Sequence, residues 1–571
     1  MARLKSITAS EWIFFALFCF FFFAYVIWVC LDRTVPVWDS ARHLLDTYKL
    51  RDALSAPVRD SARHLLDTYK LKDALSAPML FERRIRLLLT CAGWYPPLFN
   101  WVHLAFLMAP IPYAVADNLP RLVFFAIGII SLYNLGRQLF HDSAVGLVAT
   151  AICFALPAWC VVSHSRGLLD MPLASMCFLG LWLIARWNAA PSLANAFLAG
   201  CGITLACMTK QMGIAYLGPA IFLVLLQRLL ARDFGKVIQF CLVLGITAIP
   251  YLGWFRFNHG DITYSLGWNA EHIKSEGSGP LLWLKNLELY SVNLVRTITV
   301  PVSILFVLSL FNFPAQRKLW LPASTLPAFF YLCTLGWGSQ DVRYLLPIIG
   351  YLTLSVAALL VRLWRTGKRL LKFFDVALGL YLFSIFFIYN FTPYPIPRCD
   401  ALYALLDSKF SGVEWYWPGV MPAEPYPLEP LAYNWLLVHV QFRQSESPSK
   451  IVLAVGSSNC EASSIELLAR QRGIPVEVTN LYKGSPMGID RCVPNDVELY
   501  PDWYVTMKND QNPHPRHFRS EHDLESYNRL KEYFETSDKF SKVGEFLYPD
   551  GQSCMVLYGK VEEQPTSEER K

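Results

Sequence analysis

The residues of this chain best suited to chemistry stand at the ends of its apolar runs. SHSRGLLDMP carries Arg166 and Asp170, TKQMG carries Lys210, WFRFNHGD carries Arg256, His259 and Asp261, and GSQDVRYLLP carries Asp341, Arg343 and Tyr344. Upstream, VWDSARHLLDTYKLRDALSAP (Val37–Pro57) is followed at once by VRDSARHLLDTYKLKDALSAP (Val58–Pro78), and the copies differ only at Trp38/Arg59 and Arg51/Lys72. Asp39 and Asp60 are therefore equivalent positions in a doubled segment. Carboxylates can take a proton, and lysine or arginine can hold an anion. Taken singly, each of these groups would more often be an interface anchor or a snorkelling side chain. Ionisable groups that converge on one membrane face from separate helix ends instead mark a functional site.

The elements that must position them are membrane spans. The chain has 571 residues, of which 54% are hydrophobic and only 17% charged, against about 25% charged in soluble domains. Trp12–Leu31 is Phe-rich and uncharged. It is too long for a signal-peptide core and lacks an A-x-A-like cleavage site, so it reads as a retained span. Apolar runs near 12–31, 121–139, 144–162, 171–186, 193–210, 213–229, 237–255, 297–313, 320–336, 344–362 and 373–391 give about eleven transmembrane helices. With the N-terminus inside, the short inner loops collect Arg137, Arg186, Arg228, Arg232, Lys236, Arg317, Lys318, Arg362, Arg365, Lys368, Arg369 and Lys372. The net charge of +6 thus belongs to membrane topology and is no nucleic-acid signature. Leu98–Ala116 is apolar but broken by Pro110 and Pro112, and reads either as a further span or as a juxtamembrane helix at the outer surface.

The first copy of the doubled segment has helical periodicity. Asp39-Ser40 stand at an N-cap, Ala41, Leu44, Leu45 and Tyr48 form an apolar stripe, and Asp39, Arg42, His43 and Asp46 take the other side. Such a helix would lie in the membrane interface with its acids toward water. In the plainer reading, Asp39 only caps it.

After Asn390 the composition becomes Pro-rich and then water-soluble. KIVLAVGSS, IELLARQR, VEVTNLY, DWYVTMK and CMVLYGK alternate as strand and helix do in a small α/β domain. The expected organisation is a mainly α, polytopic membrane domain over 1–392, with a first outer loop over 32–120 carrying juxtamembrane helices. An extracytoplasmic α/β domain over 393–571 follows it. Of 14 cysteines, Cys91, Cys399, Cys460, Cys492 and Cys554 fall in outer segments, where disulfides are permitted. No His/Cys cluster has zinc spacing.

Several stretches occur in a telling order: VWDSARHLL after the first span, a following PPL, PRLVFFAIG, SRGLLDMPL, ACMTKQ and RYLLP. Over roughly residues 10–365 the chain resembles the integral-membrane GT-C glycosyltransferases, in the branch of the protein O-mannosyltransferases and the lipid A aminoarabinose transferase. The resemblance implies transfer of a sugar from a polyprenyl-phosphate carrier to a lipid, glycan or protein acceptor at the outer membrane face, with inversion. It implies Asp39 as the base, with Asp60 the alternative, and Asp170 as a second acid that orients or assists. Lys210, Arg343, Arg121, Arg166 and Tyr344 match positions suited to the donor phosphate. His259, Trp268 and Glu271, in the long loop at 256–295, are of types that stack on and hydrogen-bond sugars. An ordinary aromatic belt accounts for that loop equally well. The chain departs from the family pattern in having Ser40 after Asp39, and Trp94-Tyr95 where relatives often have His before PPL. No metal site and no obligatory cofactor is implied, although a divalent metal is permitted. The partners implied are the donor, the bilayer and an unknown acceptor, with no nucleic acid, in a bacterial inner membrane. Two rival readings predict other things: a transporter of lipid-linked sugars, or an accessory homologue without activity.

Overall fold

The computed structural model of the chain describes residues 8–31, 39–55, 80–92, 95–164, 168–260, 262–263, 267, 280–311, 320–334, 342–391, 428–441, 448–453, 462–480, 502–508, 532–533, 535–547 and 554–561. The second repeat copy, with Asp60, lies outside them, as do Arg166, Asp261, Trp268, Glu271 and Asp341. The chain divides into two compact units, one of residues 1–32 and 46–424 and the other of residues 33–45 and 425–571.

The first unit is helical: α1 (Ala9–Leu31), α2 (Asp39–Ser55, whose first seven residues belong to the other unit), α3 (Leu80–Thr90), α4 (Leu98–Leu107), α5 (Leu119–Phe140), α6 (Ser143–Ala155), α7 (Pro157–His164), α8 (Asp170–Ala189), α9 (Leu193–Thr209), α10 (Gly213–Leu230), α11 (Phe234–Thr247), α12 (Ile249–Phe257), α13 (Pro280–Ile298), α14 (Val300–Phe311), α15 (Trp320–Cys333), a 3-10 turn at Val342–Leu345, α16 (Leu346–Arg365) and α17 (Arg369–Phe391). Among the described residues, helix falls in each of the eleven apolar runs. By length and composition, five of the described helices can cross a membrane alone, or seven if each of two bent pairs counts as one span. The run at 144–162 is split between α6 and α7 at Pro157, where a proline opens the second helix at little cost. The Leu98–Ala116 run holds a ten-residue helix and, beyond Pro110 and Pro112, a single turn at Tyr113–Ala116; at about 15 Å the longer piece falls short of the ~30 Å hydrocarbon core.

Glycines let the central helices meet closely. A Cβ on Gly136 of α5 would stand 2.7 Å from the Cα of Gly146 on α6, and one on Gly202 of α9 would stand 3.2 Å from the Cα of Gly180 on α8. In a bilayer, where apolar burial between helices drives little, such close backbone approach is what holds helices together. Aromatic contacts add α1 to the group: Phe14 stacks on Tyr133 at 3.9 Å and Tyr25 on Phe125 at 4.3 Å. Outward residues are apolar and exposed, as along α11 and α12 at Phe234, Ile238, Leu242, Ile246, Ile249 and Leu252. Repetition at three and four residues makes this one continuous apolar face, suited to lipid tails. Between α13 and α14 the chain turns sharply at Thr299, whose φ of +69° is left-handed backbone that β-branched residues resist. Its hydroxyl is buried without a hydrogen-bond partner.

The apolar stripe of α2 is as the sequence reading has it: Ala41, Leu44, Leu45 and Tyr48 are buried. His43 corrects that reading, because it is buried whereas its neighbour Arg42 is exposed. A buried face this wide, reaching around to His43, is that of a helix packed in protein rather than floated on a bilayer.

In the second unit, α18 (Leu428–Gln441), β1 (Ser449–Leu453), α19 (Ala462–Gln471), β2 (Val476–Asn480), β3 (Trp503–Lys508), β4 (Phe540–Leu547) and β5 (Cys554–Lys560) form a five-stranded sheet of order β2-β1-β3-β5-β4 with two helices. β1 pairs parallel with β2 and β3, and β5 antiparallel with β3 and β4. Ile451, Leu453, Val505, Met555 and Leu557 of the strands share one core with Leu436, Leu437 and Val440 of α18 and Ile465 and Ala469 of α19. The sequence reading misses α18 and β4. The first follows directly on a proline-rich stretch, and the second is an edge strand with an exposed, polar-spotted pattern broken by a bulge at Lys542/Gly544. Cys91 is a free thiol and Cys554 is buried at the start of β5, while Cys399, Cys460 and Cys492 lie outside the described residues.

Candidate active site

Three helix ends of the first unit bring opposite charges together. Asp170 is the first residue of α8, where the helix dipole favours an anion, and Lys210 follows the last residue of α9, where it favours a cation. α8 packs along α9, so the two ends adjoin. Lys210 Nζ donates to Asp170 Oδ1 at 2.8 Å, and both side chains are buried, at 7% and 2% exposure. Arg343, in the 3-10 turn before α16, approaches the other oxygen, Oδ2, at 3.7 Å. Burying two charges is costly unless they pair closely. Here one carboxylate serves two cations.

Two tyrosine rings flank the lysine. Its ammonium lies 4.5 Å from the Tyr344 ring centroid and 6.0 Å from that of Tyr95, both within cation–π range. Each ring is carried by anchored backbone. The Tyr216 hydroxyl of α10 donates to the Tyr344 carbonyl at 2.6 Å, and the Trp254 indole of α12 donates to the Tyr95 carbonyl at 3.0 Å. Tyr216 and Trp254 are both essentially inaccessible.

A second polar group fixes α2. Tyr48 donates to Asp117 Oδ1 at 3.0 Å, His103 Nε2 lies 2.9 Å from the same oxygen, and Asn100 donates to the Thr47 hydroxyl at 2.9 Å. All of these side chains are buried. Nearby in sequence, buried Arg121 donates to Asn118, and its guanidinium lies 5.9 Å from the Tyr25 ring.

Of the residues singled out from sequence, Asp170, Lys210, Arg343 and Tyr344 thus form one cluster, and Arg121 belongs to another. Asp39 opens α2, with its side chain outside the described ones. His259 is exposed and meets Phe255 edge-on at 5.8 Å. Tyr95, Tyr216, Trp254, His103 and Asp117 are additions that the sequence reading did not make. Among the described residues no group of three or more His, Cys, Asp or Glu is placed to hold a metal ion.

Comparison with known proteins relates one segment of the chain to a family and the whole of it to a fold. Residues 95–254, which include Asp170 and Lys210, match the family model of dolichyl-phosphate-mannose-protein mannosyltransferases. The fold is similar to that of ArnT from Cupriavidus metallidurans bound to undecaprenyl phosphate, with a TM-score of 0.53 and 15% identity over 96% of this chain and 98% of that one. ArnT from the same organism in the apo state gives 0.49 and 14% identity over 95% and 97%. No curated protein matches the chain in sequence. Residues 95–254 are thus similar to that mannosyltransferase family, and the chain as a whole shares the fold of ArnT.

Proposed function

We propose that the chain transfers a sugar from a polyprenyl-phosphate carrier to a lipid, glycan or protein acceptor, with inversion, at the extracytoplasmic face of a bacterial inner membrane. The observation that carries this reading is the buried Asp170–Lys210–Arg343 cluster, two of whose members fall in the family-matched segment. The neighbouring ArnT structure binds undecaprenyl phosphate, a ligand of the chemistry such cations would hold.

In the proposed step, the acceptor oxygen attacks the anomeric carbon as the bond from that carbon to the phosphate oxygen breaks. The acceptor's proton passes to the Asp39 carboxylate, acting as general base, and the bonding electrons leave with the polyprenyl phosphate. Lys210 and Arg343 take up the developing phosphate charge, and the Tyr344 hydroxyl donates to the same group. Asp170, already engaged by both cations, holds them in place rather than acting as the base.

The test is sugar transfer from a polyprenyl-phosphate sugar in membranes carrying the chain or its variants. Asp39→Asn should abolish transfer while Asp60→Asn leaves it; the reverse result would move the base to the second copy. Full activity of both variants together with Asp170→Asn would defeat the assignment. Mass spectrometry of envelope lipids and glycans, with and without the protein, identifies the acceptor.

A further inference from the structure

We infer that Tyr216 and Trp254 are positioning residues for the donor phosphate, acting through the backbone of the two tyrosines that flank Lys210. This rests on the proposed role of Lys210 as a phosphate-binding cation. A lysine is a flexible point charge on a long stem, so its usefulness at a phosphate depends on what fixes its head. Asp170 fixes it in the resting site, but a phosphate that binds Lys210 competes with that carboxylate for the same ammonium. The two rings have no such conflict. They hold a cation by their faces and leave the ammonium's hydrogens for an anion.

Those rings come from segments without regular helix of their own at that point, Tyr95 in the turn before α4 and Tyr344 in the 3-10 turn. Connecting turns are in general more mobile than the helices they join. Each of these two is instead tied at its own carbonyl by a donor buried in a long-range partner helix, Tyr216 at 2.6 Å and Trp254 at 3.0 Å. The two ties are alike, each an aromatic donor buried in a distant helix and bonded to the carbonyl of a ring-bearing turn residue. The turn pinned by Tyr216 also carries Arg343, so that one hydrogen bond sets the position of a ring and of the second cation.

The experiment measures affinity for undecaprenyl phosphate by the purified full chain in lipid nanodiscs, alongside the thermal midpoint of each variant. Tyr216→Phe, which removes only the hydroxyl, should weaken binding roughly tenfold, the effect of losing one buried hydrogen bond. If the tie acts through the Tyr344 backbone, Tyr216→Phe should cost clearly less affinity in a Tyr344→Leu background than in the wild type, the remainder acting through Arg343 in the same turn. Trp254→Phe with Tyr95→Leu forms an independent cycle and decides the matter if Tyr216→Phe does not fold. Additive losses in a folded cycle, or wild-type affinity in Tyr216→Phe, overturn the inference even if Lys210→Met abolishes binding. Undiminished binding by Lys210→Met, or no binding by the wild type, overturns the reading of the cluster on which the inference stands.

Discussion

At the scale of single residues, the buried ion pair sets the sharpest expectations. Lys210→Met leaves Asp170 buried beside a single, more distant cation and should cost about 3–5 kcal/mol of stability, read as a lowered thermal midpoint in nanodiscs. The double replacement Asp170→Asn/Lys210→Met should be less destabilised than Lys210→Met, because the deeply buried carboxylate charge is then gone and Arg343 is partly exposed. The charged members of this cluster were legible in the sequence because ionisable groups from separate helix ends fall together at one face, and Tyr344 because it adjoins Arg343. Tyr216 and Trp254 were not, since an interfacial tyrosine or tryptophan reads as an aromatic belt. Their contacts also join residues 128 and 159 apart in the chain, which no local pattern reveals.

At the scale of elements, α2 is tied by two buried hydrogen bonds, from Tyr48 to Asp117 and from Asn100 to Thr47. Tyr48→Phe removes one of them and should cost about 1–3 kcal/mol. It should also loosen α2, detected as faster amide hydrogen exchange across residues 41–52. The crossing of α5 and α6 tolerates no side chain at Gly136, so Gly136→Val should destabilise by about 1–3 kcal/mol or more, measured by thermal unfolding. Thr299 should respond in the opposite sense. Asn tolerates left-handed backbone far better than Thr, so Thr299→Asn should raise the thermal midpoint if the new amide also finds a partner. The helices were legible as apolar runs, but their breaks and the glycine crossings depend on which neighbour each helix meets, which composition does not encode. His43 was misread for that reason: helical phase alone put it with Arg42, and packing drew it inward.

At the scale of the whole molecule, the outward face of α11 and α12 meets lipid under this reading. Leu242→Lys, at an exposed position in α11, should cost about 2.5–3.5 kcal/mol near a helix centre, seen as a reduced membrane-inserted yield. On a protein bathed in water the same exposed substitution would be nearly neutral. The sequence reading divides the chain at the change of composition after Asn390, whereas the compact units divide after Glu424. The assignment of residues 33–45 to the second unit was not visible in the sequence, because it joins segments almost four hundred residues apart.

The carboxylate between Lys210 and Arg343 has a consequence for turnover. If the cations hold the spent polyprenyl phosphate, Asp170 is a tethered rival for the same charges, always at hand when the product loosens. Such a rival lowers the affinity for donor and product alike, and in enzymes where product departure limits the rate it keeps the catalyst from stalling on its own lipid. Asp170→Asn should therefore bind undecaprenyl phosphate more tightly than the wild type while completing fewer cycles, a pairing of stronger retention with slower recycling that single-turnover and steady-state measurements would separate.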